Sequence, residues 1–265
     1  MKAILPNIVI IYASILLFAY FVSDHMIFLP PRSGYKNPEN FCKLTTADGA
    51  TIYAVYLPNK AAKYTLLVSH GNAEDIGYLE PFLQEMHRHG FAVFAYDYHG
   101  YGLSTGKPTE RNAYLDIDAA YNYLTKTLEV SPKNIVVYGH SVGAAVALDL
   151  AVRKPVAAVI LQGAFSTAFR VMTRIPLLPF DKFDNLKKIK QLKCPLLMIH
   201  GTVDNVIPLW HGRKLYQAAT VPKYFYQVEN AGHNDIVMVG GKEYWRTIQN
   251  FIKVNLDARK KTNII

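Results

Sequence analysis

The stretch Ile135-Val136-Val137-Tyr138-Gly139-His140-Ser141-Val142-Gly143-Ala144-Ala145-Val146-Ala147-Leu148 decides how the rest of the chain is read. Its first four residues are apolar and mostly β-branched, which suits a buried strand, and its last five suit a helix. Gly-x-Ser-x-Gly between strand and helix puts the serine on a sharp, strained turn with its hydroxyl exposed above the sheet. A side chain at Gly139 or Gly143 would collide where strand and helix approach. The helix N-terminus below the serine offers unpaired backbone N–H groups to a developing negative charge. This is the expected place of an acyl-transfer nucleophile, Ser141.

Working outward, apolar strand-like runs alternate with helix-like segments. Strands are expected near 41–46 and 51–57, joined by a turn at Asp48-Gly49. Further strands fall at 65–69, 91–96, 135–138, 157–161, 195–200 and 223–228, with helices near 78–89, 110–128, 144–153, 208–219 and 241–255. This alternation predicts an α/β fold: a mostly parallel central sheet with helices on both faces. The segment 166–191 reads as a short lid, apolar at Ile175-Pro176-Leu177-Leu178-Pro179-Phe180.

Two distant segments complete a hydrolytic set. Asp204 follows the run Leu196-Leu197-Met198-Ile199-His200-Gly201, and His233 follows Tyr224-Phe225-Tyr226-Gln227-Val228. Serine is a weak nucleophile unless a base stands beside it, and the base needs a partner that fixes its tautomer. The expected catalytic set is therefore Ser141, Asp204 and His233, with Asp97 and Asp235 as competitors for the acid's place. Backbone N–H groups of Asn72, in the loop after the run 65–68, and of Val142 are the expected oxyanion-hole donors. Met172 and Leu178 are candidate substrate-binding residues that would wall an apolar acyl group. Glu74 and Asp75 read as solvated loop carboxylates.

The order Ser, Asp, His and the segments that carry it resemble the α/β-hydrolase superfamily from about residue 41 to 256. The likeness rests on His70-Gly71-Asn72-Ala73, Asp97-Tyr98-His99-Gly100-Tyr101-Gly102-Leu103-Ser104, Gly139 to Gly143, Asp181-Lys182-Phe183-Asp184-Asn185, His200-Gly201-Thr202-Val203-Asp204 and Gly232-His233-Asn234. Within it, the chain is most similar to small-lid, membrane-anchored serine hydrolases that include eukaryotic palmitoyl-protein thioesterases and bacterial relatives. This resemblance implies an α/β-hydrolase fold and hydrolysis of carboxylic esters or thioesters through an acyl-enzyme on Ser141. The mammalian thioesterases carry N-terminal cysteines for lipid anchoring; the first cysteine here is Cys42, so an anchor of another kind is implied.

Residues 3–22 carry no charge, and twenty helical residues at about 1.5 Å each span the ~30 Å hydrocarbon layer. The organisation expected is an N-terminal membrane anchor at 1–22, with an uncleaved or cleaved signal segment as its rival. A spacer at 23–40, the hydrolase domain at 41–256 and a basic tail at 257–265 follow. Lys2 favours an internal N-terminus and a catalytic domain on the outer or lumenal side of a single-pass membrane protein. The two cysteines, Cys42 and Cys194, do not make a disulfide framework and read as small buried apolar residues. The formal charge of +9 comes with no zinc-finger or RNA-binding signature, so no nucleic-acid partner is expected. No cofactor and no metal is expected either. Two rivals to the esterase reading remain open: a serine peptidase of the same fold, and a non-catalytic membrane-associated binding protein.

Overall fold

The computed structural model describes residues 4–36, 39, 41–173 and 175–257. Of the expected basic tail at 257–265, residues 258–265 lie outside the described residues. Along the chain come helix α1 (Ile4–Ile27), strands β1 (Cys42–Thr45), β2 (Thr51–Leu57) and β3 (Thr65–Ser69), helix α2 (Glu80–Arg88) and strand β4 (Ala92–Tyr96). Helix α3 (Glu110–Asn122), strand β5 (Ile135–His140), helix α4 (Val142–Arg153) and strand β6 (Ala158–Gln162) follow. The lid contains α5 (Ala168–Thr173) and α6 (Asn185–Lys188), and the chain then runs through β7 (Leu196–Gly201), α7 (Trp210–Ala218), β8 (Lys223–Val228) and α8 (Ile236–Ile252).

One eight-stranded sheet carries the order β1-β2-β4-β3-β5-β6-β7-β8. β1 and β2 are antiparallel to their neighbours, and every pairing from β4 to β8 is parallel. The inner strands β3 to β7 are buried nearly throughout because both faces of the sheet are covered there. Along β5, Ile135 and Val137 face one core layer, with α3, α4 and α7; Val136 and Tyr138 face the other, with α2 and α8. The chain moves from β3 outward to β4, then returns to place β5 on β3's other side. The loops leaving β3 and β5 therefore flank the point where strand order reverses, the usual ligand crevice of an open α/β sheet.

Three elements depart from expectation. The helix expected at 110–128 tightens its ladder only to Asn122 and continues as a wide turn over Tyr123–Thr127. The last helix begins at Ile236 rather than near 241, with a kink at Gly241 (φ +48°, ψ −131°); the glycine punctuates the helix instead of opening it. The first helix runs five residues past the expected anchor, to Ile27, and is fastened there: Asp24 pairs with Lys182 of the lid at 3.0 Å, and the Phe28 N–H donates to the Asp24 carbonyl. Phe28 itself is buried against Tyr98, Tyr101 and Phe183. Cys194 is buried and its thiol is pushed up to about 12, whereas Cys42, on the edge strand, is only half-buried; both are free.

At the β5–α4 junction a Cβ on Gly139 would stand 2.2 Å from the Gly143 carbonyl oxygen, and one on Gly143 would stand 2.2 Å from the Ser69 carbonyl oxygen. Neither neighbour is a side chain that could swing away. Gly143→Ala is expected to cost about 3 kcal/mol, lowering Tm by roughly 6–12 °C. Gly49→Ala sits in open space at φ +87° and is expected to cost only the left-handed penalty of about 1–2 kcal/mol. Thermal melts of the two variants side by side check the ranking; equal shifts would contradict it.

Candidate active site

Ser141 joins β5 to α4 at φ +56°, ψ −118°, a conformation that L-residues rarely adopt. Its backbone N–H donates to the Gln162 carbonyl of β6 at 2.9 Å, which clamps the turn against the adjacent strand. The Ser141 hydroxyl lies 3.0 Å from His233 Nε2, and His233 Nδ1 lies 2.7 Å from Asp204 Oδ2. A carboxylate can only accept, so the Nδ1–H donates to Asp204 and Nε2 is left as the acceptor for the serine hydroxyl. The three side chains that the sequence singled out thus meet, although β6, β7 and β8 intervene between their positions in the chain.

The Asp204 carboxylate is tied from both sides. It accepts the His233 N–H, and its Oδ1 accepts the backbone N–H groups of Val206 and Ile207 at 3.0 and 2.7 Å. Burial alone would raise its pKa, but the bond and charge of His233 and the Ile207 amide outweigh burial and hold it below the ordinary carboxylate value. Asp204 is therefore an anion throughout the neutral range. The competitors are occupied elsewhere. Asp235 accepts the Gly232 N–H at 2.6 Å and shapes the histidine loop, while Asp97 accepts the Tyr35 hydroxyl at 2.6 Å and the Ile76 N–H at 2.8 Å.

The loop after β3 lies on α4's N-terminal turn, since Gly143 packs under the Ser69 and His70 carbonyls. Among the described residues, neither the Asn72 nor the Val142 backbone N–H donates to a protein acceptor. The Asn72 side chain is not available to a substrate. Its Nδ2 donates to the Ile27 carbonyl at 2.6 Å, and its Oδ1 accepts from Leu29 N–H at 2.8 Å and the Tyr101 hydroxyl at 2.7 Å. Asn72 thereby ties the end of α1 to the candidate site.

Several residues at the site were not anticipated. Gly163, just after β6, has φ +58°, and a Cβ there would stand 2.9 Å from His233 Cε1; the glycine leaves room for the imidazole. The only trace of this in the sequence is a glycine directly following a strand-like run. Glu74 is only partly exposed and bonded within the loop, and Asp75 is not solvated at all. Glu74 accepts the Gly71 N–H at 2.6 Å and stands 3.7 Å from His140 Nδ1. Burial opposes its ionisation, but His140 more than compensates and holds the carboxyl below its usual range. Asp75 is buried and accepts the N–H groups of Gly34, Gly77 and Tyr78. His140 Nε2 in turn donates to the His233 carbonyl at 3.3 Å, so one chain of bonds links the β3 loop to the histidine loop.

Met172 and Leu178 line an apolar groove of about 490 Å³ between the lid and α1; its lining includes neither Ser141 nor His233. Among the described residues, no group of three or more His, Cys, Asp or Glu side chains is arranged to hold a metal ion.

Fold and site together define an α/β-hydrolase. The family model described as serine aminopeptidase, S33, matches residues 60–183. The esterase Pf2001 of Pyrococcus furiosus superposes with a TM-score of 0.72 at 20% identity, covering 87% of this chain and 98% of its own. The esterase RhEst1 of Rhodococcus superposes at 0.64 with 16% identity, over 82% of this chain and 99% of that one. At such identities these neighbours speak for the fold. The human alpha/beta hydrolase domain-containing protein 17B is 40% identical over 222 residues, which are 81% of this chain and 76% of the relative. The mouse 17C protein is 42% identical over 200 residues, 74% of this chain and 62% of the relative. The chain belongs to the alpha/beta hydrolase domain-containing protein 17 family, and it is a hydrolase by that membership.

Beside the site, His211 Nδ1 accepts both the N–H and the hydroxyl of Ser166, at 3.1 and 3.0 Å, where the lid leaves the sheet. Burial, aided by His200, pushes its pKa from 6.5 down to about 4. The unfolded chain therefore binds more protons than the folded one between pH ~6.5 and ~4, and stability falls as pH falls through that window, by on the order of 3 kcal/mol. His211→Gln removes the titration, so its Tm measured from pH 7 to 4.5 is expected to decline less steeply than wild type. Parallel curves would refute the assignment.

Proposed function

We propose that this chain is a serine hydrolase that cleaves carboxylic esters or thioesters with an apolar acyl group, through an acyl-enzyme on Ser141. The observation that carries this reading is the pair of contacts at His233: 3.0 Å to the serine hydroxyl on one nitrogen and 2.7 Å to Asp204 on the other.

Ser141 Oγ attacks the acyl carbon while its proton passes to His233 Nε2. Asp204 keeps the imidazole in the required tautomer and stabilises the imidazolium, taking no proton itself. The tetrahedral oxyanion is met by the Asn72 and Val142 backbone N–H groups, and losing one such donor costs about 3 kcal/mol in the transition state. Collapse expels the alcohol or thiol, which takes the proton from Nε2. Water then gives a proton to the same nitrogen as it attacks the acyl-enzyme, and collapse of the second intermediate returns the proton to Ser141. Every proton in this cycle has its donor and acceptor among these groups.

The substrate in this reading is a small-molecule or lipid-like acyl compound held at a membrane. α1 supports the location: Asn7–Ile27 is long and apolar enough to cross a bilayer, with a mean hydropathy of 1.8. In the proposal it is a single-pass anchor, and Lys2 before it favours a catalytic domain on the outer or lumenal side. A second reading, peptide hydrolysis by the same machinery, is favoured by one observation, the serine aminopeptidase description of the matching family model.

A panel of acyl esters, acyl thioesters and aminoacyl peptides separates these readings. The ester and thioester arms are expected to be turned over and the peptide arm not. Ser141→Ala is expected to lose roughly 10⁴-fold or more in kcat/KM, and Asp204→Asn about 10⁴-fold. Turnover of peptides alone moves the assignment to the second reading. Ester hydrolysis by Ser141→Ala within tenfold of wild type removes the serine mechanism.

A further inference from the structure

The groove between α1 and the lid has a composition and a position that the hydrolytic cycle does not explain. One wall is the face of α1 bearing Ile15, Phe18 and Met26; the other is the lid, with Met172, Leu177 and Phe180. Its volume of about 490 Å³ falls within the range of small-molecule sites, ~300–1,000 Å³.

Its depth follows from where the lid touches the helix. The Phe180 ring packs edge-on against Tyr20 at 6.1 Å, and the Tyr12 hydroxyl donates to the Leu177 carbonyl at 3.3 Å. Tyr12 lies fifteen residues before Ile27, about 22 Å back along the helix. If α1 crosses the bilayer, the tip of the lid lies beside it at hydrocarbon depth. The lid's exposed residues suit that surrounding, because Met172, Ile175 and Leu177 are 84%, 60% and 55% exposed, and Ile175–Phe180 carries no charge. Such a cluster exposed to water would be costly, whereas in lipid it has no cost to explain.

Charge marks the groove's other end. Asp24 and Lys182 neutralise each other at 3.0 Å close to Ile27, where the lid chain returns to the domain. Ile27 both lines the groove and gives its carbonyl to the Asn72 side chain at 2.6 Å. The groove therefore opens at bilayer depth at one end and reaches the loop of the candidate oxyanion donor at the other.

We propose that this groove is the binding site for the acyl chain of a bilayer-borne substrate, formed jointly by the membrane helix and the lid. The chain enters sideways from the lipid, lies between the two walls and brings its carbonyl carbon to the Asn72 loop. In this arrangement the anchor is half of the substrate site. The inference rests on the serine-hydrolase reading given above.

The test uses the full chain in liposomes and measures kcat/KM for hexadecanoyl and butanoyl p-nitrophenyl thioesters. Ala19→Trp fills the groove from the helix wall and Ala168→Trp from the lid wall. The readout is the long-to-short ratio within one preparation, which does not depend on how much of a variant is folded. Wild type is expected to favour the long chain, and each variant to lower the ratio at least tenfold. A wild type without long-chain preference, or ratios within twofold of wild type in both variants, overturns the proposal. Unchanged ratios with altered self-association assign the groove to a second copy's helix and overturn it equally. Butanoyl hydrolysis that survives Ser141→Ala instead overturns the underlying serine-hydrolase reading, so the two failures are distinct.

Discussion

The close approach of β5 and α4 is the constraint from which the rest follows. With Gly139 and Gly143 packed against backbone atoms, the chain has no room for a relaxed strand-to-helix turn. Ser141 absorbs the difference at φ +56°, held by its N–H bond to Gln162. Strain of this sort costs on the order of 1–3 kcal/mol and persists only where the surroundings enforce it. The same contact presses the Ser69 and His70 carbonyls onto α4's first turn. It thereby sets the Asn72 loop and the serine on neighbouring parts of one ledge.

Around that ledge the sheet acts as a spacer. Parallel strands deliver successive loops to one edge, so residues 141, 204 and 233 converge even though nothing in the intervening chain is shared between them. Polar bonds then remove the remaining freedom. Asp204 is locked by two backbone amides, His233 fits the space left by Gly163, and His140 and Glu74 tie the histidine loop to the β3 loop. α1 joins this assembly through Asn72 and through Asp24, which makes the helix a neighbour of the site as well as a tether.

Much of this was legible in the residues. Strands buried on both faces announce themselves as apolar runs, and the positions of β3 to β7 could be read from them to within a residue or two. The convergence of Ser141, Asp204 and His233 could be read from one motif and from the strands that precede the other two. What escaped was decided by contacts far apart in sequence. Asp75 looks like any loop carboxylate until Gly34 is brought against it, and Asn72 until Ile27 is. Gly241 is a kink only because helical turns form on both sides of it. Lys182 and Lys188 are likewise fixed by partners far away in sequence, Asp24 and Asp149.

The most direct test of the central claim is chemical. The full chain is treated with a fluorophosphonate, digested, and the modified peptide sequenced by mass spectrometry. A single adduct on Ser141, formed faster than on a denatured control, is the result this account predicts. An adduct on another residue, or esterase turnover that continues with Ser141 unmodified, would contradict it.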